Sequence, residues 1–213
     1  MHIYIVRHGE TMGNVRGTLQ GQTDIELLDN GIELAHQTGL GLAGIRFDAA
    51  VSSPLKRAVQ TAVAVLEASG NSDLELQQDP RIMELHMGDY EGHPIKTDKP
   101  DAEKLIHTFF DNPFIFDGFP GGESIDEICS RTQDFLHELA GRDYHNVLVS
   151  THGVALRAML NQLYRDPSDF WQGHVPYNCS VSIVEATGGK LKLLEMDKIY
   201  YDNTLVVDRY ADY

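Results

Sequence analysis

The chain reads as an α/β fold with a mainly parallel sheet and a hairpin at one edge. Three observations predict this. Short apolar runs bounded by turn residues alternate with stretches of helical spacing, the pattern of strands joined by crossover helices. The last two runs, Ser180–Val184 and Leu191–Leu194, flank Thr187-Gly188-Gly189 and so form the hairpin. Finally, 213 residues with 42% hydrophobic and 23% charged side chains suit one well-filled core, and we expect a single domain over 1–213.

The elements follow in order. Ile3–Val6 is a short, β-branched buried strand ending before Gly9. A polar loop rich in Gly, Thr, Asn and Gln then runs from Glu10 to Asp29. Helical spacing at Ile32, Leu34, Ala35 and Leu40 predicts a helix from Asp29 to Gly44, with Asp29 as its N-cap. Ala49–Val51 is a second strand, and Ser52-Ser-Pro-Leu55 opens a helix to about Ala68 with Pro54 in its first turn. Leu74–Gln77 is a third strand. Residues 93–122 hold half of the prolines and five of the eight phenylalanines, show no clear period, and are expected to form a lid or insertion. Ser124 and Glu127 make a capping box opening a helix to Leu139. His145–Ser150 is an apolar strand, and Val154–Tyr164 is helical.

Composition excludes several classes of partner. A formal net charge of −15 argues against nucleic acid and anionic membrane, which both demand basic patches. No stretch approaches the roughly 20 apolar residues that cross a bilayer, and the N-terminus carries no basic leader, so no signal peptide is read. Cys129 and Cys179, far apart, suit reduced thiols in a cytoplasmic protein. A homodimer is compatible with the chain, although no feature demands it.

Against this acidic background, Arg7 beside His8 at the end of a buried strand calls for a reason. A solvated strand end is the bland one. However, ligands of open α/β sheets bind outside the carboxyl ends of strands, and Arg7-His8-Gly9 and Thr151-His152-Gly153 both lie at such ends. A lone histidine is more often a satisfied core or surface residue; the repetition at a second strand end lowers that reading. His152 and Gly153 stand where a helix begins, where free N–H groups attract anions. Arg57, in the first turns of its helix, would by itself be an ordinary solvated arginine. With Arg7 and the two histidines it completes a donor cluster matched to a phosphoryl group. Glu84 has apolar neighbours in sequence, a setting that suits a general acid, although a solvated loop carboxylate is the simpler reading. Asn14 and Gln20 are polar loop residues that ordinary turn chemistry would explain. No HExxH helix, CxxC pair or carboxylate triad marks a metal site, no glycine-rich nucleotide loop is present, and neither metal nor cofactor is expected.

Taken together, the sequence resembles the histidine phosphatase superfamily, in its phosphoglycerate-mutase-like branch. Five segments match in order: Arg7-His-Gly-Glu-Thr11 with Asn14; Gln20-Gly-Gln-Thr-Asp24; Ser52 to Ala62; Glu84-x3-Gly88-x2-Glu91-Gly92; and Thr151-His-Gly153. The resemblance implies a three-layer sandwich with helices on both faces of the sheet. It makes His8 the nucleophile that becomes a phosphohistidine, and Glu84 the proton donor. Arg7, Arg57 and His152 become the phosphate pocket, with Asn14, Gln20 and Gly153 as further contacts. The substrate would be a small-molecule phosphomonoester. Pro120-Gly-Gly-Glu-Ser124 resembles phosphatase members, including broad-specificity and α-ribazole phosphatases. The short, aromatic and acidic 93–122 stretch lacks the extended basic segment of phosphoglycerate mutases. Phosphatase is therefore the reading, with mutase and a catalytically weak binding module as alternatives. Two positions depart from the family pattern: Leu28 replaces a common threonine, and Gly13 a common aromatic. The tail from Tyr200 to Tyr213, with its four tyrosines, is either a docking segment or frayed.

Overall fold

The structure, a computed structural model, describes residues 1–208 and 210. Its elements are β1 (His2–Arg7), α1 (Met12–Arg16), α2 (Asp29–Gly41), β2 (Ala49–Ser52), α3 (Lys56–Ser69), β3 (Leu76–Gln78), α4 (Pro100–Asp111), α5 (Ile125–Ala140), β4 (Asn146–Thr151), α6 (Gly153–Leu160), β5 (Val181–Thr187) and β6 (Lys190–Lys198). One six-stranded sheet runs in the order β3-β2-β4-β1-β5-β6. The first four strands in that order are parallel, and β5 and β6 form the antiparallel edge hairpin.

The period of two along β1 sorts its side chains into two layers. Ile3 and Ile5 join Phe135 and Leu136 of α5 and Leu156 and Met159 of α6 in one cluster. Tyr4 and Val6 face the other way, toward Leu34 and Ala35 of α2 and Val65 and Leu66 of α3. Helices thus cover both faces, as the fold class requires. The chain leaves β1 for the α2 side and β4 for the α6 side, although the two strands are neighbours. That divergence opens a crevice at their carboxyl ends, where α/β sheets bind ligands.

Several boundaries differ from the sequence expectation for local reasons. The loop after β1 contains α1, whose Thr11 side chain accepts from the Asn14 N–H while the Asn14 side chain accepts from the Thr11 N–H. The N-cap of α2 is Leu28, not Asp29, and with no side-chain oxygen it makes no side-chain cap; the departure from threonine shows here. α3 begins at Lys56, leaving Pro54 ahead of the N-cap Leu55 rather than in the first turn. Its Lys56 N–H is capped from a distance by Asp24 Oδ1 at 2.8 Å. β3 begins two residues later than the apolar run suggested.

The largest difference is α4 within 93–122, where no period was expected. Pro100 supplies the first turn, with Asp101 and Glu103 beside it. Ile106, Phe109 and Phe110 form the buried stripe. They pack with Phe116, Phe119, Val154, Ala158 and Phe170 in a third cluster at the carboxyl end of the sheet.

Candidate active site

The centre of the sheet places three strand ends side by side. Arg7 lies opposite Thr151 in the β1–β4 register, and Ser52 opposite Ser150 in β2–β4. The ladder continues past the strands: the His8 N–H donates to Thr151 O at 2.9 Å, and the Ser53 N–H to Ser150 O at 2.9 Å. His8 and His152 are thereby neighbours, with ring centroids 5.3 Å apart. The parallel register, not the loops, sets their spacing.

His8 is 2% exposed and its Nδ1 lies 2.7 Å from Gly9 O. A carbonyl only accepts, so Nδ1 carries the proton and Nε2 keeps its lone pair. Burial, followed by the Arg57 and Arg7 charges, holds the imidazole well below its ordinary range. The ring is therefore neutral at pH 7, in one tautomer, with one nucleophilic nitrogen.

Arg57, fully buried at the start of α3, spends its guanidinium on three partners. Nη2 donates to Gly21 O (2.7 Å), Nη1 to Thr23 O (2.8 Å) and Nε to His152 Nδ1 (3.1 Å). Burial pushes its pKa down to about 10, still charged at neutral pH. Because Arg57 donates to Nδ1 of His152, the other ring nitrogen bears the proton, and it sits 2.8 Å from Ser53 Oγ. Burial first, then Arg57, keeps His152 well below the usual histidine range. With both nitrogens held by protein groups, His152 braces Arg57 and the β2 end in this structure, and it is not among the residues lining the cleft.

Unspent donors face this corner. Arg7 Nη1 donates to Pro176 O, while buried Arg7 Nε and Asn14 Nδ2 have no hydrogen-bond partner among the described residues. Such orphans are rare, and they mark a place that an acceptor-rich ligand would satisfy. The Thr11 hydroxyl holds Asn14 Oδ1 at 2.9 Å and Gln20 Oε1 at 2.7 Å, joining two of the expected contacts. The family departure at Gly13 has a steric reason here. A Cβ at that position would stand 2.6 Å from Gln20 Cδ, so Gln20 occupies space that a side chain would need.

Glu84 is 7% exposed, but its surroundings are not the apolar walls expected from its sequence neighbours. Oε1 accepts from the Leu85 and Ala155 N–H groups (2.9 and 3.0 Å), and Oε2 from the Val154 N–H (3.2 Å). Two of the unpaired N–H groups at the start of α6 are thus capped by a carboxylate 70 residues away in sequence. Gly153, the first residue of α6, lines the cleft. Arg131 of α5 fixes the loop behind Glu84, donating to the carbonyls of Arg81, Met83 and Glu84 and pairing with Glu123 at 2.6 Å. Glu91 accepts from the Gln22 N–H and the Thr23 hydroxyl at 2.8 and 2.7 Å, fastening the loop that Arg57 also holds.

A last strap runs from His174 to Asn178. Arg157 Nη2, fully buried, donates to His174 O and to Asp197 Oδ2 (2.8 and 2.6 Å). Pro176 takes Arg7, and Asn178 Nδ2 donates to His8 O at 2.9 Å. Both members of the Arg7-His8 pair are therefore held from the side opposite α3.

These groups open into a cleft. Arg7, His8, Gln20, Arg57, Glu84 and Gly153 line one end. The other end is apolar, with Leu19, Ile95, Phe109, Phe110, Trp171 and Tyr210. The five phenylalanines of 93–122 thus divide. Phe116 and Phe119 pack only in the core, Phe109 and Phe110 are core behind and cleft wall in front, and Phe114 is 43% exposed. Tyr210 of the tail reaches the cleft, whereas Arg209 and residues 211–213 lie outside the described residues.

Sequence reasoning missed Arg131, Glu91, Ser53 and Trp171 as parts of the site. Glu91 and Ser53 stood inside the matched segments and could have been read there. Arg131 and Trp171 carry no local signal, because contacts across long stretches of chain place them. Among the described residues, no group of three or more His, Cys, Asp or Glu side chains comes together, and no helix is long and apolar enough to cross a membrane. Cys129 and Cys179 are both free thiols.

Comparison with known proteins bears on the family and the fold. The family model described as "Histidine phosphatase superfamily (branch 1)" matches residues 3–198. A Yersinia pestis protein named "Probable phosphoglycerate mutase GpmB" is 33% identical over 190 residues, covering 87% of this chain and 85% of its own length. The structure of Bacillus stearothermophilus YhfR superposes with a TM-score of 0.85 at 28% identity, over 93% of this chain and 97% of that one. The α-ribazole phosphatase of Shigella flexneri superposes with a TM-score of 0.76 at 25% identity, over 95% and 100% of the two chains.

Proposed function

Since the chain belongs to the histidine phosphatase superfamily, we propose that it hydrolyses a small-molecule phosphomonoester through a phosphohistidine on His8. One observation carries this reading: a buried, neutral imidazole with its proton pinned on Nδ1 and its free nitrogen at a cleft that Arg7, Arg57 and Glu84 share. In this mechanism the Nε2 lone pair attacks phosphorus and the P–O bond to the alcohol breaks. Arg7 and Arg57, with the amide of Gly153 and the side chains of Asn14 and Gln20, stabilise the charge on the phosphoryl oxygens. His152 acts here by holding Arg57 in place. Glu84 gives its proton to the departing alkoxide and then takes one from the water that attacks the P–N bond. Phosphate leaves and His8 is neutral again.

The chain functions in this account as one domain, with 93–122 as an insertion over the site. A mutase reading keeps the same intermediate but returns the phosphoryl group to a second hydroxyl of the substrate. Support for it comes from the name of the Yersinia relative. Support for hydrolysis comes from the name of the Shigella structure and from the aromatic far end of the cleft.

The test is phosphate release from a panel of phosphomonoesters that includes 3-phosphoglycerate, run beside the same assay for conversion to 2-phosphoglycerate. Release should fall by a factor of about 10⁴ or more in His8→Ala, as expected for loss of a nucleophile. Substantial turnover by that variant would remove His8 from the mechanism, and isomerisation without release would establish the mutase.

A further inference from the structure

The two ends of the cleft differ in what they can recognise, and the difference bears on the leaving group. Resting on the hydrolase reading above, we propose that the substrates are phosphomonoesters of a flat, uncharged, apolar alcohol, with no second anionic group. The aromatic wall that Phe110, Trp171 and Tyr210 present to the cleft would hold that alcohol.

Charge is the first argument. Among the described residues lining the cleft, the cations are Arg7 and Arg57. Arg7 stands where the two ends meet, its guanidinium 5.8 Å from the Tyr210 ring centroid, and Arg57 is already committed through Nε, Nη1 and Nη2. A carboxylate or second phosphate on the leaving group would therefore meet no cation of its own. It would sit instead in a chain whose formal net charge is −15. Burying an unpaired charge against apolar walls is expensive, so a doubly acidic ester is disfavoured by this cleft.

Shape is the second argument. Trp171 and Phe110 lie 5.7 Å apart at 31°, and Phe110 and Tyr210 6.1 Å apart at 34°. The three rings form a continuous aromatic surface, each tilted by about a third of a right angle against the next. Phe109 meets Trp171 edge-on at 83° and buttresses it from the core side. Leu19, Ile95, Val175, Met87 and Val154 add to the lining, and the neutral polar groups among the lining side chains are those of Thr18 and Gln20, the Tyr210 hydroxyl and the Trp171 indole N–H, which has no partner among the described residues. A polyhydroxylated alcohol would lose water there with few partners in return, whereas a flat ring would gain contact area and offset stacking.

The experiment compares ethyl phosphate with 2-phenylethyl phosphate, whose leaving alcohols are alike in acidity and differ mainly in the ring. The expected result is a kcat/KM at least about 30-fold higher for the aryl ester, in line with burial of one ring. On the same grounds, 3-phosphoglycerate should do no better than ethyl phosphate. Trp171→Ala should shrink the aryl preference to about threefold or less through the KM of the aryl ester, and Trp171→Phe should restore most of it. Equal rates for the two esters, or a preference for 3-phosphoglycerate, would overturn the proposal. Calorimetry on the unaltered protein with ethylphosphonate and 2-phenylethylphosphonate separates the two readings. Tighter binding of the aryl phosphonate without turnover of any ester would refute the hydrolase and leave the wall standing. Equal binding would refute the wall whatever the enzyme hydrolyses.

Discussion

At the polar end of the cleft, Arg7 and His8, with His152 behind them bracing Arg57, sit within one residue of the ends of β1 and β4, and hydrogen bonds of the sheet ladder hold them in register. At the aromatic end, Phe110 comes from α4, Trp171 from the connection after α6, and Tyr210 from the tail, brought together by ring packing, with the Arg7 guanidinium over the Tyr210 ring. The first arrangement is directional and tolerates no substitution of donor geometry. The second depends on area and shape, so it can change its members while keeping its character. A fold built this way can hold its chemistry constant and vary what it acts on.

The most damaging way to break the polar end is to remove a fork and keep the charge. Arg57→Lys leaves one ammonium where three directed N–H partners stood: His152 Nδ1, Thr23 O and Gly21 O. We expect kcat/KM for a simple phosphomonoester to fall by about 10³, since an ammonium cannot reproduce planar donor geometry. A loss below about tenfold would mean that positive charge alone organises the pocket.

A smaller effect is expected behind Glu84, in the loop that follows it. Gly88 has φ +52°, and a Cβ there would stand 2.1 Å from Pro120 O and 2.6 Å from Gly122 N. The Asp89 N–H donates to the same Pro120 O at 2.9 Å, so the Glu84–Glu91 loop is laid directly on the Pro120–Glu123 segment. Gly88→Ala must pull the two backbones apart and strain its own φ. It should lower unfolding free energy by about 3 kcal/mol in urea titration, with no change in which ester is preferred. Unchanged stability would show that the loop moves freely over that segment.

The same contrast explains what the sequence revealed. The strands, the hairpin and the capping box at Ser124 were legible because each rests on neighbours close in the chain. His8, Arg57 and His152 were legible because strand ends and a helix start place them by short-range geometry. The environment of Glu84 was not legible: its three N–H donors include Val154 and Ala155, which no local pattern connects to it. α4 was legible in principle, since Ile106, Phe109 and Phe110 have helical spacing; Pro94, Pro100 and Pro113 around it obscured the period. The aromatic wall was not legible at all. Its members are scattered over about half the chain, and only tertiary packing brings them together.

The smallest expected effect is read in acid, and it distinguishes the ends again, because only the polar end titrates. His8 and His152 are buried, held neutral, and depressed below their ordinary pKa by burial and by Arg57. An unfolded chain accepts a proton at each near pH 6.5, while the folded chain refuses it. Over that window the unfolded state binds more protons, so stability is intact above about pH 6.5 and falls as pH drops below it, by about 1.4 kcal/mol per pH unit for each histidine. The fall continues until the depressed native values are reached. His8→Gln removes one of the two protons from this balance. Its unfolding free energy between about pH 6.5 and 5 should therefore decline less steeply than that of the parent, by up to one histidine's share. Phe110→Leu, at the other end of the cleft, should shift the whole curve without altering its slope. Parallel acid limbs for parent and His8→Gln would mean that His8 is protonated in the folded protein. Its lone pair would then be lost over that acid window, and phosphate release should fall with it.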